Sequence, residues 1–107
     1  DRESNPLAKI GAVSMHTGFD GNGSKANSSY NVKEIKKMGK GDYLIMFTHP
    51  CLSKNFQVGM STSKPLEYAY VYAKEKDRVR IRIVKTGTDK LVNPTGVVSV
   101  ICTGGDR

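Results

Sequence analysis

The clearest pattern in this chain is a two-residue alternation. Tyr68, Tyr70 and Tyr72 fall on one side of an extended segment, and Ala69, Val71 and Ala73 on the other. After the charged stretch 74–77, expected to be a turn, Arg78, Arg80 and Arg82 alternate with Val79, Ile81 and Ile83. This period is that of a strand with one wet and one dry face. Residues 42–47 alternate too, with Tyr43, Ile45 and Phe47 on one side and Leu44 and Met46 on the other. Both sides are apolar, which predicts a central strand. Upstream, Val32, Ile35 and Met38 recur at threes, but the stretch is too short for a stable isolated helix. The glycine-rich link Gly39-Lys40-Gly41 favours a strand instead, because glycine reaches the positive φ of tight hairpin turns. Residues 31–38 and 42–48 are therefore expected to form a hairpin.

Punctuation sets the remaining elements. Pro50 ends that hairpin, since proline cannot donate to a sheet ladder. Strand character resumes at 55–62, a loop is expected at 61–67, and β-branched residues close the chain at 97–102. An N-terminal strand is expected over about 9–19. The stretch 20–29, rich in Gly, Asn and Ser, reads as a long loop, mobile or functional. The ends 1–7 and 103–107 are expected to be loose. At 107 residues the chain is the size of one domain. About seven strands with polar turns predict an all-β fold, a small antiparallel β-sandwich.

Whether the tyrosines meet the arginines depends on the turn between them. A two-residue turn at Glu75-Lys76 pairs Tyr72 with Val79 and separates the rows. A three-residue turn at Lys74-Glu75-Lys76 pairs Tyr72 with Arg78, Tyr70 with Arg80 and Tyr68 with Arg82. The longer turn also keeps Val71 opposite Val79 and Ala69 opposite Ile81. Register follows the buried face, so the longer turn is expected. The resulting face reads in three ways: a solvated surface with cation–π pairs, a subunit interface, or a ligand site.

Composition narrows the chemistry. The net charge is +7, from 17 basic and 10 acidic residues. That admits nucleic acid or an acidic surface as partner, but the basic residues are dispersed and nucleic acid is the weaker expectation. No apolar run reaches membrane-spanning length, so no membrane insertion is expected. The start Asp1-Arg2-Glu3-Ser4-Asn5-Pro6 is not a secretion signal. Cys51 and Cys102 read either as one disulfide or, the expected state, as two reduced thiols; neither has redox or zinc spacing. His16 and His49 sit in no motif, and His49-Pro50-Cys51 is a poor geometry for a nucleophile and base. No catalytic residue, metal or cofactor is expected.

The order of motifs resembles one known family. Phe19-Asp20-Gly21 precedes a polar loop. Tyr30-Asn31-Val32 leads to Gly39-Lys40-Gly41-Asp42-Tyr43, with Phe47 and Pro50 behind it. Asn55-Phe56-Gln57-Val58, Arg78-Val79-Arg80-Ile81 and Val98-Ser99-Val100 follow. This resembles the C-terminal domain of bacteriophage tail-fibre proteins over residues 8–102. The resemblance implies a β-sandwich, usually a homotrimer, at a fibre tip of the virion, assembled in the bacterial host cytoplasm. It implies a host-surface receptor, glycan or protein, and other virion proteins as partners, and adhesion rather than catalysis. Gly39 and Gly41 would serve the turn; Tyr43 and Phe47 would serve core or interface. Tyr68, Tyr70, Tyr72, Arg78, Arg80 and Arg82, with loops 20–29 and 61–67, are the candidates for receptor or interface contact. The chain lacks the tryptophan common in such domains and ends differently. Those departures leave a capsid-bound head fibre or decoration subunit as a second reading. A single-stranded nucleic-acid module is a third.

Overall fold

The computed structural model describes residues 13–104. It contains seven strands: β1 (Val13–Phe19), β2 (Val32–Gly39), β3 (Asp42–Phe47), β4 (Gln57–Thr62), β5 (Glu67–Glu75), β6 (Arg78–Lys85) and β7 (Val98–Thr103). They form two antiparallel sheets. Sheet A has the order β1-β7-β4 and sheet B the order β2-β3-β6-β5. The all-β expectation and the sandwich layout hold, and β3 is a central strand as its two apolar sides require.

The alternation builds the core directly. Tyr43, Ile45 and Phe47 of β3 and Val79, Ile81 and Ile83 of β6 turn inward and are buried. They meet Met15 and Phe19 of β1 and Val98, Val100 and Cys102 of β7. Phe56, just before β4, fills one end and packs edge-on against Phe47 at 5.7 Å between ring centroids. Phe19 and Tyr43 pack at 4.8 Å. Tyr43 is wholly buried, and its hydroxyl donates to the Gly21 carbonyl at 2.6 Å. Burial, with the nearby Asp20 charge, pushes that phenol up to about 12. Tyr43 and Phe47 are thus core residues. Cys51 and Cys102 are also buried and carry thiols rather than a disulfide. Burial, reinforced by Cys51 nearby, pushes the Cys102 thiol up to about 12.

Several boundaries differ from the sequence expectation. Thr103 is not a loose tail: it ends β7, opposite Val13 on one side and Gln57 on the other. Ser61 and Thr62 belong to β4, opposite Ser99 and Val98, so the expected 61–67 loop shrinks to 63–66. Both shifts follow from pairing with β7, which local composition does not reveal. The 20–29 segment is stitched down. Asp20 accepts from the Asn22 and Ser24 amides, Ala26 N–H donates to the Gly18 carbonyl, and Tyr30 bridges to His16. The expected loose segments 1–7 and 105–107, and residues 9–12 of the N-terminal strand, lie outside the described residues.

The two hairpin glycines are not equivalent. Gly41 has φ +66°, and a Cβ there would lie 2.5 Å from the Val92 carbonyl and 2.7 Å from that of Ile83. Its N–H donates to Asn93 Oδ1 and its carbonyl accepts from Ile83. Gly39 has no positive φ and open space around its Cα. The assignment of both glycines to the turn is corrected accordingly: Gly41 makes it, while Gly39 ends β2 opposite Asp42. Gly41→Ala is expected to lose about 2 kcal/mol or more of stability, whereas Gly39→Ala stays within about 0.5 kcal/mol. Paired urea-denaturation curves check the difference.

Candidate functional site

The outer face of sheet B collects the tyrosine and arginine rows. Its β6 positions are Arg78, Arg80 and Arg82, opposite Met46, Leu44 and Asp42 of β3. On the other flank, β5 meets β6 through a two-residue turn, Lys76-Asp77, with Glu75 opposite Arg78. Neither expected register is therefore correct. The face is kept in phase by a bulge at Tyr72: Ala73 stands opposite Arg80, yet Val71 stands opposite Ile81. Beyond the bulge Tyr70 faces Arg82 and Tyr68 faces Val84.

The cause of the bulge is visible on the inner side. Strict alternation from the tyrosines would put Lys74 outside with them. One extra residue turns Lys74 inward instead, opposite the buried Val79. There its Nζ donates to the Phe56 carbonyl at 2.8 Å and lies 5.2 Å from the Phe56 ring centroid. Lys74 and Glu75 are consequently strand residues rather than turn residues.

Asp42 organises the charges. It is buried, and its carboxylate accepts two hydrogen bonds from Arg80, from Nε at 2.9 Å and Nη2 at 2.6 Å. This fork-on-fork bond runs diagonally across the two strands, the stronger class of charge-assisted pair. Arg82 Nε approaches the same carboxylate at 3.5 Å. The Arg82 guanidinium carbon stands 3.6 Å above the Tyr72 ring, and that of Arg80 stands 5.2 Å from it. The Arg80 hydrogen bonds hold the Asp42 carboxyl below its ordinary range against the opposing effect of burial. The same bonds raise Arg80. Arg78 is tied separately to Asp77, at 3.0 and 2.9 Å.

The array offers a rigid platform with two kinds of surface. Tyr68 and Tyr72 are half or more exposed, at 58% and 50%. Toward the turn end of the face lies a depression of about 220 Å³ lined by Leu44, Ala73, Lys74, Glu75, Arg78 and Arg80. Three arginines meet three carboxylates here, Asp42, Asp77 and the Glu75 that stands opposite Arg78, so the ladder carries no net charge. A flat aromatic surface next to partly committed guanidinium groups suits a ligand that presents both rings and hydroxyl or acidic oxygens.

The candidate residues come together only in part. Tyr70, Tyr72, Arg80 and Arg82 form the cluster; Tyr68 extends it, and Arg78 sits at its turn end. Asp42 escaped the sequence reading, which saw it only within the Gly-x-Gly-Asp-Tyr motif. Its one local signal is that it shares the Leu44–Met46 side of β3. The loop residues 63–66 lead into β5, and the Thr86 N–H just beyond β6 donates to the Leu66 carbonyl. Elsewhere, His49 and Cys51 line a separate cleft of about 350 Å³ with Asn31. There it is the His49 backbone that is clamped, its N–H donating to Asn31 Oδ1 at 2.7 Å and its carbonyl accepting from Asn31 Nδ2 at 2.9 Å. Among the described residues no cluster of three or more His, Cys, Asp or Glu side chains is placed to hold a metal.

Comparison with protein-family models, curated proteins and solved structures finds no match for the chain.

Asp42→Asn is expected to cost about 1–3 kcal/mol at neutral pH, the worth of a charged hydrogen-bond pair. The folded carboxyl lies below its unfolded value near 3.8, so its contribution is complete above that pH. The contribution is lost as the pH falls through the folded value. Urea denaturation at stepped pH checks this: wild type and Asp42→Asn should differ above pH 4 and converge in stronger acid.

Proposed function

We propose that the chain is an attachment module of the phage tail-fibre kind, touching the host surface with the outer face of sheet B. The observation that carries this reading is the pre-ordered platform itself. Exposed Tyr72 stands over a ladder in which Asp42 holds Arg80 by two hydrogen bonds and pairs with Arg82 at 3.5 Å, and exposed Tyr68 extends the face opposite Val84. Ligand recognition gains most where the contacting side chains are already immobilised, because less ordering entropy opposes binding. The motif order along the chain supports the fibre assignment, and surface glycans fit the chemistry of the face.

The nucleic-acid reading is weaker on this geometry. Its appeal was a row of three arginines beside aromatic rings, yet Asp42 and Asp77 neutralise most of that charge. Binding to phosphate backbones draws on uncommitted cations.

The test is binding of the purified protein to arrayed acidic and neutral surface glycans. Replacing Tyr68 and Tyr72 together by Ala is expected to weaken binding about tenfold or more, equivalent to ~1.4 kcal/mol. Binding indifferent to that double substitution, or none by the wild type, overturns the reading. On intact virions, antibody against the chain should mark the tail tip; labelling of the head favours the decoration-subunit reading instead.

A further inference from the structure

The 20–29 loop carries a reactive dipeptide. The side-chain amide of an asparagine is open to attack by the backbone nitrogen of the next residue, which closes a cyclic imide. The next residue decides how easily. Glycine puts no Cβ in the way, bulkier side chains crowd the nitrogen, and proline has no N–H to give up. Of the six asparagines in the chain, Asn22 alone precedes a glycine. Asn5 and Asn93 precede prolines. Asn31 precedes the buried Val32, and its amide is held in place, Nδ2 donating to the Ser14 and His49 carbonyls at 2.9 Å each. Asn55 precedes the fully buried Phe56. Asn27 and Ser28, in the same loop, are both exposed and form the next most open pair.

The structure both exposes this pair and restrains it. Asn22 is exposed, and Gly23 has φ +83°. Asp20 clasps the turn around them. Its Oδ1 accepts from the Asn22 N–H at 2.9 Å and from the Ser24 N–H at 3.1 Å, and its carbonyl accepts from the Gly23 N–H at 2.9 Å. The last bond occupies the nitrogen that attacks. To react, Gly23 has to leave the Asp20 carbonyl and give up its proton. The turn is also seated from below: the Gly21 carbonyl accepts from the Tyr43 hydroxyl at 2.6 Å, and a Cβ on Gly21 would lie 2.7 Å from the Pro94 carbonyl oxygen. Reaction therefore awaits opening of the clasp, and its rate follows the fraction of time the clasp is open.

We infer that Asn22 is a site of spontaneous, one-way modification and that the Asp20 clasp sets its rate. The step needs no co-reactant but water. Gly23 N bonds to Asn22 Cγ, the Cγ–Nδ2 bond breaks, and ammonia leaves carrying the Gly23 proton. Water then opens the imide at Cγ to give aspartate, or at the main-chain carbonyl carbon to give isoaspartate. Nothing is oxidised or reduced. Each product carries a new carboxylate, lowering the net charge of +7 by one unit. Isoaspartate also adds a methylene to the main chain between Gly21 and Gly23. Gly21 is pinned by Tyr43 and Pro94, and a Cβ on Gly23 would lie 3.8 Å from the Lys37 Cβ of β2. Lengthening the chain between two seated glycines displaces one or the other. Asp20-Gly21 has the same pattern with a carboxylate, but there water rather than ammonia has to leave, and the mass is conserved. The inference stands apart from the attachment reading.

The test is incubation of the folded protein in mildly alkaline buffer, with tryptic peptide mapping by mass spectrometry at intervals. Cleavage after Lys25 separates Asn22 from Asn27. Each conversion adds about 1 Da, and the gain is expected first in the Asn22 peptide. Asp20→Ala removes two of the three clasp bonds and should speed that gain about tenfold or more, with unchanged β circular dichroism. Wild type unfolded in urea should also react about tenfold or more faster than the folded protein; this arm does not depend on how the variant folds. In urea, wild type and Asp20→Ala should react alike, because the clasp is gone from both. Asn22→Ser should show no gain in that peptide. No conversion at Asn22, earlier conversion at Asn27 or Asn55, equal rates for folded wild type and Asp20→Ala, a folded wild type as fast as the unfolded chain, or a difference between the two proteins in urea each overturns the inference.

Discussion

The antiparallel pairing of β3 with β6 ties the two faces of sheet B to each other. Tyr43 opposite Ile81 and Ile45 opposite Val79 close the core. The alternate positions necessarily set Asp42 opposite Arg82 and Leu44 opposite Arg80. Because side chains alternate, a slip of one residue would drive three arginines into the apolar interior. The desolvation cost of that arrangement is prohibitive. The ion pair at Asp42 and the packing of Tyr43 therefore enforce the same register from opposite sides of the sheet.

The two outer faces then divide the chemistry. Sheet B shows tyrosine, arginine and aspartate locked into one another. Sheet A shows serine, glycine and a few aliphatic side chains. That asymmetry follows from what each strand has to balance. The arginines of β6 need acids and rings nearby, and β3 and β5 supply them. The β7 strand has no such demand, and its neighbours are small.

Much of this was legible along the chain. The Arg–Val alternation of β6 and the inward row of β3 follow from periodicity that each strand carries by itself, and the β2–β3 hairpin from the glycine link between its strands. The face shared by tyrosines and arginines was legible as an idea but not in its register. The Tyr72 bulge exists because Lys74 finds the Phe56 carbonyl and ring. Phe56 lies 18 residues away. Asp42 stayed hidden for the same reason: its partners lie across a pairing that no local pattern specifies. The order β1-β7-β4 unites the first and last of the seven described strands with one from between them in sequence. That explains why Thr103 looked like a tail and Ser61 like a loop.

Cys102 gives the molecule an internal reporter. Its thiol sits in the middle strand of sheet A, inaccessible and far from the thiolate form at neutral pH. A soluble alkylating reagent reaches it only when β7 parts from its neighbours. The rate of its modification therefore measures how often the sandwich opens under native conditions, without denaturant. Because β7 pairs with both β1 and β4, any contact that holds that strand in place slows the same reaction.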